Sequence, residues 1–275
     1  MSNQAGAKLR VGVVSYLNML PLVHGLDRLE LEGVGLDVVS VPPSSMAEMM
    51  DRAELDLGMV PVGALLERPE WKIVGRSMIG SNGPVKSVLA ISSEPPERWT
   101  SLHPDSHSRT SNILVQILLA NRFGVRPKLL EPVPFDDWEP PSRTLTGEAF
   151  LLIGTRALRW RDYADGNGGF VLDLGEAWTE WTGLPFVYAV WASREGLDLR
   201  AVRIDEWMQK FEELKSRNLA QLDSILTFSA PFEAERLSIP EAREYLTKNI
   251  QFDLDSRALA GLERYAEEGR KLALF

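Results

Sequence analysis

From residue 8 to about residue 198 the chain repeats one pattern: a short β-branched, apolar run closed by Gly, Pro or Ser, followed by a helical or turn stretch. Strands are expected at residues 9–14, 36–41, 55–60, 71–75 and 85–92, and a second set at 128–133, 149–153, 170–174 and 186–192. Helical spacing runs through residues 20–29 and 44–52, with Ser44 as the expected N-cap. It is clearest at 110–123, where Ile113, Leu114, Ile117, Leu118 and Leu119 share one face. Strands alternating with helices predict an α/β fold, with a mainly parallel sheet covered on both faces. Prolines 132, 134, 140 and 141 mark residues 133–146 as a loop. After Leu199 only helices are expected, at 203–217, 219–228, 240–249 and 256–271.

A chain of 275 residues buries enough surface to fold without a metal or disulfide, as two modest domains or one large one. Periodicity leaves both arrangements open. The sequence has no cysteine, which excludes a thiolate nucleophile, an iron–sulfur cluster and a cysteine zinc site. Its three histidines, His24, His103 and His107, leave little for a histidine-built centre, so neither metal nor cofactor is expected. A net charge of −9, with no basic stretch, disfavours nucleic acid or an anionic membrane as partner. No run approaches the ~18 apolar residues of a membrane span. The opening residues lack the apolar core of a secretory leader, so a cytoplasmic location is expected.

Three polar segments stand out from core material. Ser15-Tyr16-Leu17-Asn18-Met19-Leu20-Pro21 follows the first strand, and carboxyl ends of strands face the ligand crevice in open α/β sheets. Asn18 also suits a helix cap. Ser81-Asn82-Gly83-Pro84-Val85-Lys86-Ser87 is a turn entering a strand, with the Ser87 hydroxyl inside an apolar run. In a regular strand Lys86 and Ser87 point to opposite faces. Ser106-His107-Ser108-Arg109-Thr110-Ser111 opens the helix at 110–123, where hydroxyls and backbone N–H groups suit a carboxylate or phosphate. Arg109 favours the anion reading over a plain cap. His107, ahead of the helix, reads chiefly as a loop residue.

These segments, with the run from Asp173 to Ala189 that contains Trp178, Trp181 and Tyr188, resemble the chorismate dehydratases that open the futalosine route to menaquinone. The resemblance covers the chain from the first strand to about Trp191. It implies a two-lobed fold like that of type II periplasmic binding proteins, with the ligand cleft between lobes. Lobe one is then residues 1–89 and 191–275, and lobe two is the inserted 90–190, joined by crossing strands at 87–92 and 188–193. Relatives commonly carry Asp where Thr155 stands, so no carboxylate role is assigned there; capping a helix at 156–161 accounts for Thr155.

The implied reaction removes water from chorismate to give 3-[(1-carboxyvinyl)oxy]benzoate. Asn18 and Ser87 are the catalytic candidates. Ser15, Tyr16, Asn82, Ser108, Arg109, Thr110 and Ser111 are the substrate-binding candidates. Serine needs an adjacent His or Lys to act as a base, and the best-matching motifs carry no strong one. The expected proton acceptor is therefore the substrate's own enolpyruvyl carboxylate, with Asn18 and Ser87 orienting the substrate. Trp178 and Trp181, three apart, are expected to pack the hinge. Two other readings are a 1,4-dihydroxy-6-naphthoate synthase of the same pathway and a non-catalytic solute-binding protein.

Overall fold

The computed structural model describes residues 8–132, 146–154, 156–158, 160, 169–228 and 237–275. Thr155, the end of the helix expected at 156–161 and nearly all of the loop at 133–146 lie outside the described residues.

The chain builds two sheets in turn. It begins the first with β1 (Leu9–Val13), β2 (Glu30–Leu31), β3 (Val34–Ser40), β4 (Leu57–Pro61) and β5 (Lys72–Ser81). It then makes the second from β6 (Val88–Ser92), β7 (Ser101–His103), β8 (Lys128–Leu129), β9 (Glu148–Ile153) and β10 (Phe170–Asp173). Finally it returns to the first with β11 (Phe186–Ser193) and β12 (Gln251–Asp253). The orders are β12-β5-β11-β4-β1-β3-β2 and β10-β6-β9-β7-β8.

The sheets are mixed, which corrects the expectation of a mainly parallel one. β1 lies parallel to β3 and β4, and β7 parallel to β8 and β9. The returning β11, however, enters antiparallel between β4 and β5, and β6 is antiparallel to both β9 and β10. The alternation of strand and helix reports only that crossovers exist, not the direction in which the chain re-enters a sheet. The strands expected to cross between lobes each lie wholly in one sheet. The chain passes between sheets at residues 82–87 and 174–185 instead.

Helices cover the sheets: α1 (Leu20–Val23), α2 (Pro43–Asp51), α3 (Val62–Leu65), α4 (Arg109–Asn121), α5 (Leu174–Thr182), α6 (Ile204–Ala220), α7 (Leu222–Phe228), α8 (Ile239–Glu244) and α9 (Ser256–Lys271). The helix expected at 20–29 stops after one turn because His24 is extended and Gly25 is left-handed, at φ 78. α2 begins at Pro43, with Pro42 rather than Ser44 in the N-cap position and no side-chain cap; the fixed φ of proline suits the first helical residue. α8 opens with a capping box of Ser238 and Glu241 and continues into a π-helical turn, Tyr245–Asn249. β12, among residues read as purely helical, is an edge strand paired with β5. It is too short to show an alternating pattern of its own. The strand expected at 71–75 runs on to Ser81, held by β11 on one side and β12 on the other.

In the second sheet, β6 is buried on both faces. Along β6, Val88 and Ala90 join the main core, while Leu89 and Ile91 meet Phe150, Leu152 and Ala157 on the other face. In the first sheet, Asp56 ties β1 to the end of β11. It accepts hydrogen bonds from the Arg10 backbone N–H and guanidinium, and from Arg194 Nε at 3.1 Å. Burial works to raise the pKa of Asp56, but these hydrogen bonds outweigh it and leave the carboxyl below its ordinary value. A depressed pKa stabilises the fold above the unfolded value of about 3.9, and this stabilisation is lost as pH falls through the folded value. Asp56→Asn should therefore lower stability by about 1.5–3 kcal/mol at pH 7. The gap from wild type should narrow below about pH 4, as urea titrations across pH would measure.

α9 packs against the chain entering β11 through Gly261, where an added Cβ would lie 2.0 Å from the Pro185 carbonyl oxygen. Backbone cannot move aside as a flexible side chain can. Gly261→Ala should cost about 1–3 kcal/mol or more, read as a lower melting temperature.

Candidate functional site

A cavity opens between the two sheets and takes walls from both. It encloses about 110 Å³ and opens to solvent at its mouth. Val14 and Pro61 come from the carboxyl ends of β1 and β4, and Ile153 and Gly154 from the end of β9. These strand ends form the crevice that parallel topology directs to one side.

Six of the sequence candidates line this cavity: Tyr16, Asn18, Ser87, Ser108, Thr110 and Ser111. Asn18 stands in the 3-10 turn Leu17–Met19, and its amide makes no hydrogen bond among the described residues, so it does not cap the following helix. Ser87 is 3% exposed; its hydroxyl accepts a hydrogen bond from Tyr245 Oη at 2.9 Å, and its carbonyl accepts from Gly154 N. Ser108 is the N-cap of α4 and accepts from Ser111 N–H at 3.2 Å. The Thr110 hydroxyl accepts from Gly63 N–H at 3.0 Å and lies 3.5 Å from the Tyr188 carbonyl, so it serves the wall.

Ser15, Asn82 and Arg109 do not line it. Ser15 Oγ is 2.8 Å from Ser40 Oγ at an exposed strand end, and Asn82 is exposed in the turn after β5. The Arg109 guanidinium is engaged by Glu67. A charge next to a helix start in sequence reaches wherever a carboxylate offers itself, which local reading does not show.

His107, read as a loop residue, does line the cavity, and its N–H donates to Asp105. Burial raises the pKa of Asp105, while Arg156 and the backbone N–H groups of His107 and Ile153 hold its charge. This buried pair braces the loop before α4 against the end of β9. Sequence reading also missed the apolar lining, such as Met59, Ile79 and Ile250, which looks like ordinary core in sequence. Tyr188 lies in the recognised run but was given no role. It lines the cavity, with its buried hydroxyl beside Ser81 and Gly175, and burial raises its pKa well above the ordinary tyrosine value.

One wall depends on Asp173, the N-cap of α5. Its carboxylate accepts from Gly175 and Glu176 N–H within α5, and from Val85 and Lys86 N–H in the crossing segment. This clamp pulls Lys86 to φ 62, so the strand expected from residue 85 begins only at Val88. Burial raises the Asp173 pKa, and the four N–H groups work against that rise. The Trp178 ring is fully buried, its Nε1 donating to the Pro185 carbonyl, and it meets Trp181, Phe186 and Tyr265 edge-on. Neither tryptophan lines the cavity.

Among the described residues, no Asp, Glu, Lys or Arg lines the cavity, and no cluster of three potential metal ligands exists. No described helix is long and apolar enough to cross a membrane.

A family model described as menaquinone biosynthesis matches residues 9–271. The chain belongs to this family. It is 25% identical to the chorismate dehydratase of Thermus thermophilus over 94% of this chain and 93% of that protein. In fold, this family member is similar to protein AF1704 of Archaeoglobus fulgidus (TM-score 0.73, 16% identity, all of both chains covered). It is also similar to the CA3427 gene product of Candida albicans (TM-score 0.64, 13% identity, covering 98% of this chain and 92% of that one), which has the generic periplasmic binding protein fold. The two-lobed fold expected from sequence is thus the fold found.

The Asp173 clamp yields a stability test. Asp173→Ala removes a helix cap and two bonds to the crossing segment, and should destabilise by about 2–4 kcal/mol. Asp173→Asn, which still caps, should cost about half as much in the same denaturant titration.

Proposed function

We propose that this family member removes water from chorismate, giving 3-[(1-carboxyvinyl)oxy]benzoate, in the cavity between two lobes, each built on one sheet. The observation that carries this reading is the lining: among the described residues, hydroxyls and the Asn18 amide converge there with no carboxylate or lysine, which leaves the His107 imidazole as the one conventional protein base. Such a site suits a substrate that brings its own proton acceptor. The distant similarity to a chorismate dehydratase supports the same choice.

In the proposed step the enolpyruvyl carboxylate takes the proton from the ring carbon bearing the ether. The electron pair left behind forms the last ring double bond as the neighbouring hydroxyl departs, and that hydroxyl leaves as water, taking up the proton that the carboxylate received. Aromatisation drives the reaction, and the protein's task is to hold the substrate so that carboxylate and C–H meet. Asn18 and Ser87 donate hydrogen bonds to substrate oxygens, and Ser108, Ser111 and the start of α4 receive a carboxylate.

Incubation of the purified protein with chorismate, followed by chromatography and mass analysis, should give a species lighter by one water. Unchanged chorismate, bound or not, would overturn the reading and leave a carrier or the naphthoate synthase. Given turnover, Ser87→Ala and Asn18→Ala should each lower kcat/KM roughly ten- to a hundredfold, the kinetic equivalent of one hydrogen bond to a charged group. Wild-type kcat/KM in both would remove these residues from the mechanism.

A further inference from the structure

We propose that Tyr245, from the C-terminal helical tail, is a positioning residue that sets the direction in which Ser87 donates its proton. This inference rests on the chorismate reading above. Tyr245 is 4% exposed and does not line the cavity, yet its hydroxyl donates to Ser87 Oγ at 2.9 Å, across 158 residues of sequence.

The tail is shaped to make this contact. Tyr245 opens the five-residue π-helical turn, whose Ile250 N–H returns to the Tyr245 carbonyl at 3.1 Å. At the other end of the turn, Asn249 Nδ2 donates to the Pro84 carbonyl at 2.8 Å. The turn is therefore fastened at both ends to residues 84–87, the segment that crosses between the sheets. Turns of this kind are rare and concentrate at functional sites.

A serine hydroxyl has one proton and two lone pairs. With Tyr245 occupying a lone pair of Ser87 Oγ, the proton of Ser87 is directed elsewhere, and the cavity is the open side. Accepting a hydrogen bond also polarises the hydroxyl and strengthens it as a donor. Ser87 thus becomes a preorganised donor to the substrate oxygen on which negative charge grows, without titrating itself.

The test is a double-mutant cycle on chorismate turnover with Tyr245→Phe, Ser87→Ala and both together, with melting temperatures recorded for each. Tyr245→Phe keeps the buried ring and removes only the hydroxyl. It should lower kcat about tenfold, worth about one neutral hydrogen bond, while KM stays within about twofold. Added to Ser87→Ala, it should cost nothing further, because the hydroxyl it would orient is gone. A purely structural tyrosine would instead cost the same in both backgrounds. That result, or wild-type kcat in Tyr245→Phe, overturns the role of Tyr245 while leaving the chorismate reading intact. A wild-type protein that leaves chorismate unchanged overturns the reading itself, and this inference with it.

Discussion

One half-buried carboxylate holds the joint on which both halves of the molecule depend. Asp173 gathers four backbone N–H groups, two from the start of α5 and two from the segment entering β6. The chain passes between sheets in both places. Burial alone would discourage the charge, and the ring of donors is what makes a carboxylate tolerable there. The cost appears in the backbone: Lys86 is driven to a positive φ that a residue with a side chain rarely adopts. Ser87 follows directly, so its place in the cavity wall is a consequence of this clamp.

Charge is kept out of the cavity by pairing it nearby. Arg109 turns to Glu67, Lys86 to Glu244 and Arg156 to Asp105, each within a residue or two of a lining group. What remains facing the ligand is a set of hydroxyls, an amide, an imidazole and apolar carbon. A chain with net charge −9 offers no long-range attraction to the dianionic substrate proposed above, whose recognition would rest on directed hydrogen bonds at short range.

The sequence was most readable where chemistry is local. Asn82-Gly83-Pro84 announced a turn, and the hydroxyl-rich run 106–111 announced a helix start, which lies at Arg109, one residue before the expected Thr110; both signals are legible because dihedral preference and capping act within a few residues. Six of nine site candidates face the cavity because polar residues at strand ends and a helix start meet wherever an α/β sheet has a crevice. Arg109 and Ser15 turned away because distant partners, Glu67 and Ser40, decide where their side chains lie. Tyr245 was invisible for the same reason: nothing around it in sequence marks a contact with Ser87. Strand direction was also hidden, since the pattern of β11 is the same whichever way it enters the sheet.

The place of β11 between β4 and β5 has a consequence for how the molecule is made. Translation delivers β4 and β5 well before their shared neighbour, so neither can complete its hydrogen-bonded ladder as it emerges from the ribosome. All five strands of the second sheet, by contrast, emerge before β11 does. The inserted unit can therefore assemble while the surrounding one waits with open edges, the state most exposed to mispairing during synthesis. Only when residues 186–193 arrive is the gap closed, and the last helix, through Tyr265 and its bond to the Thr110 carbonyl, then braces the start of α4.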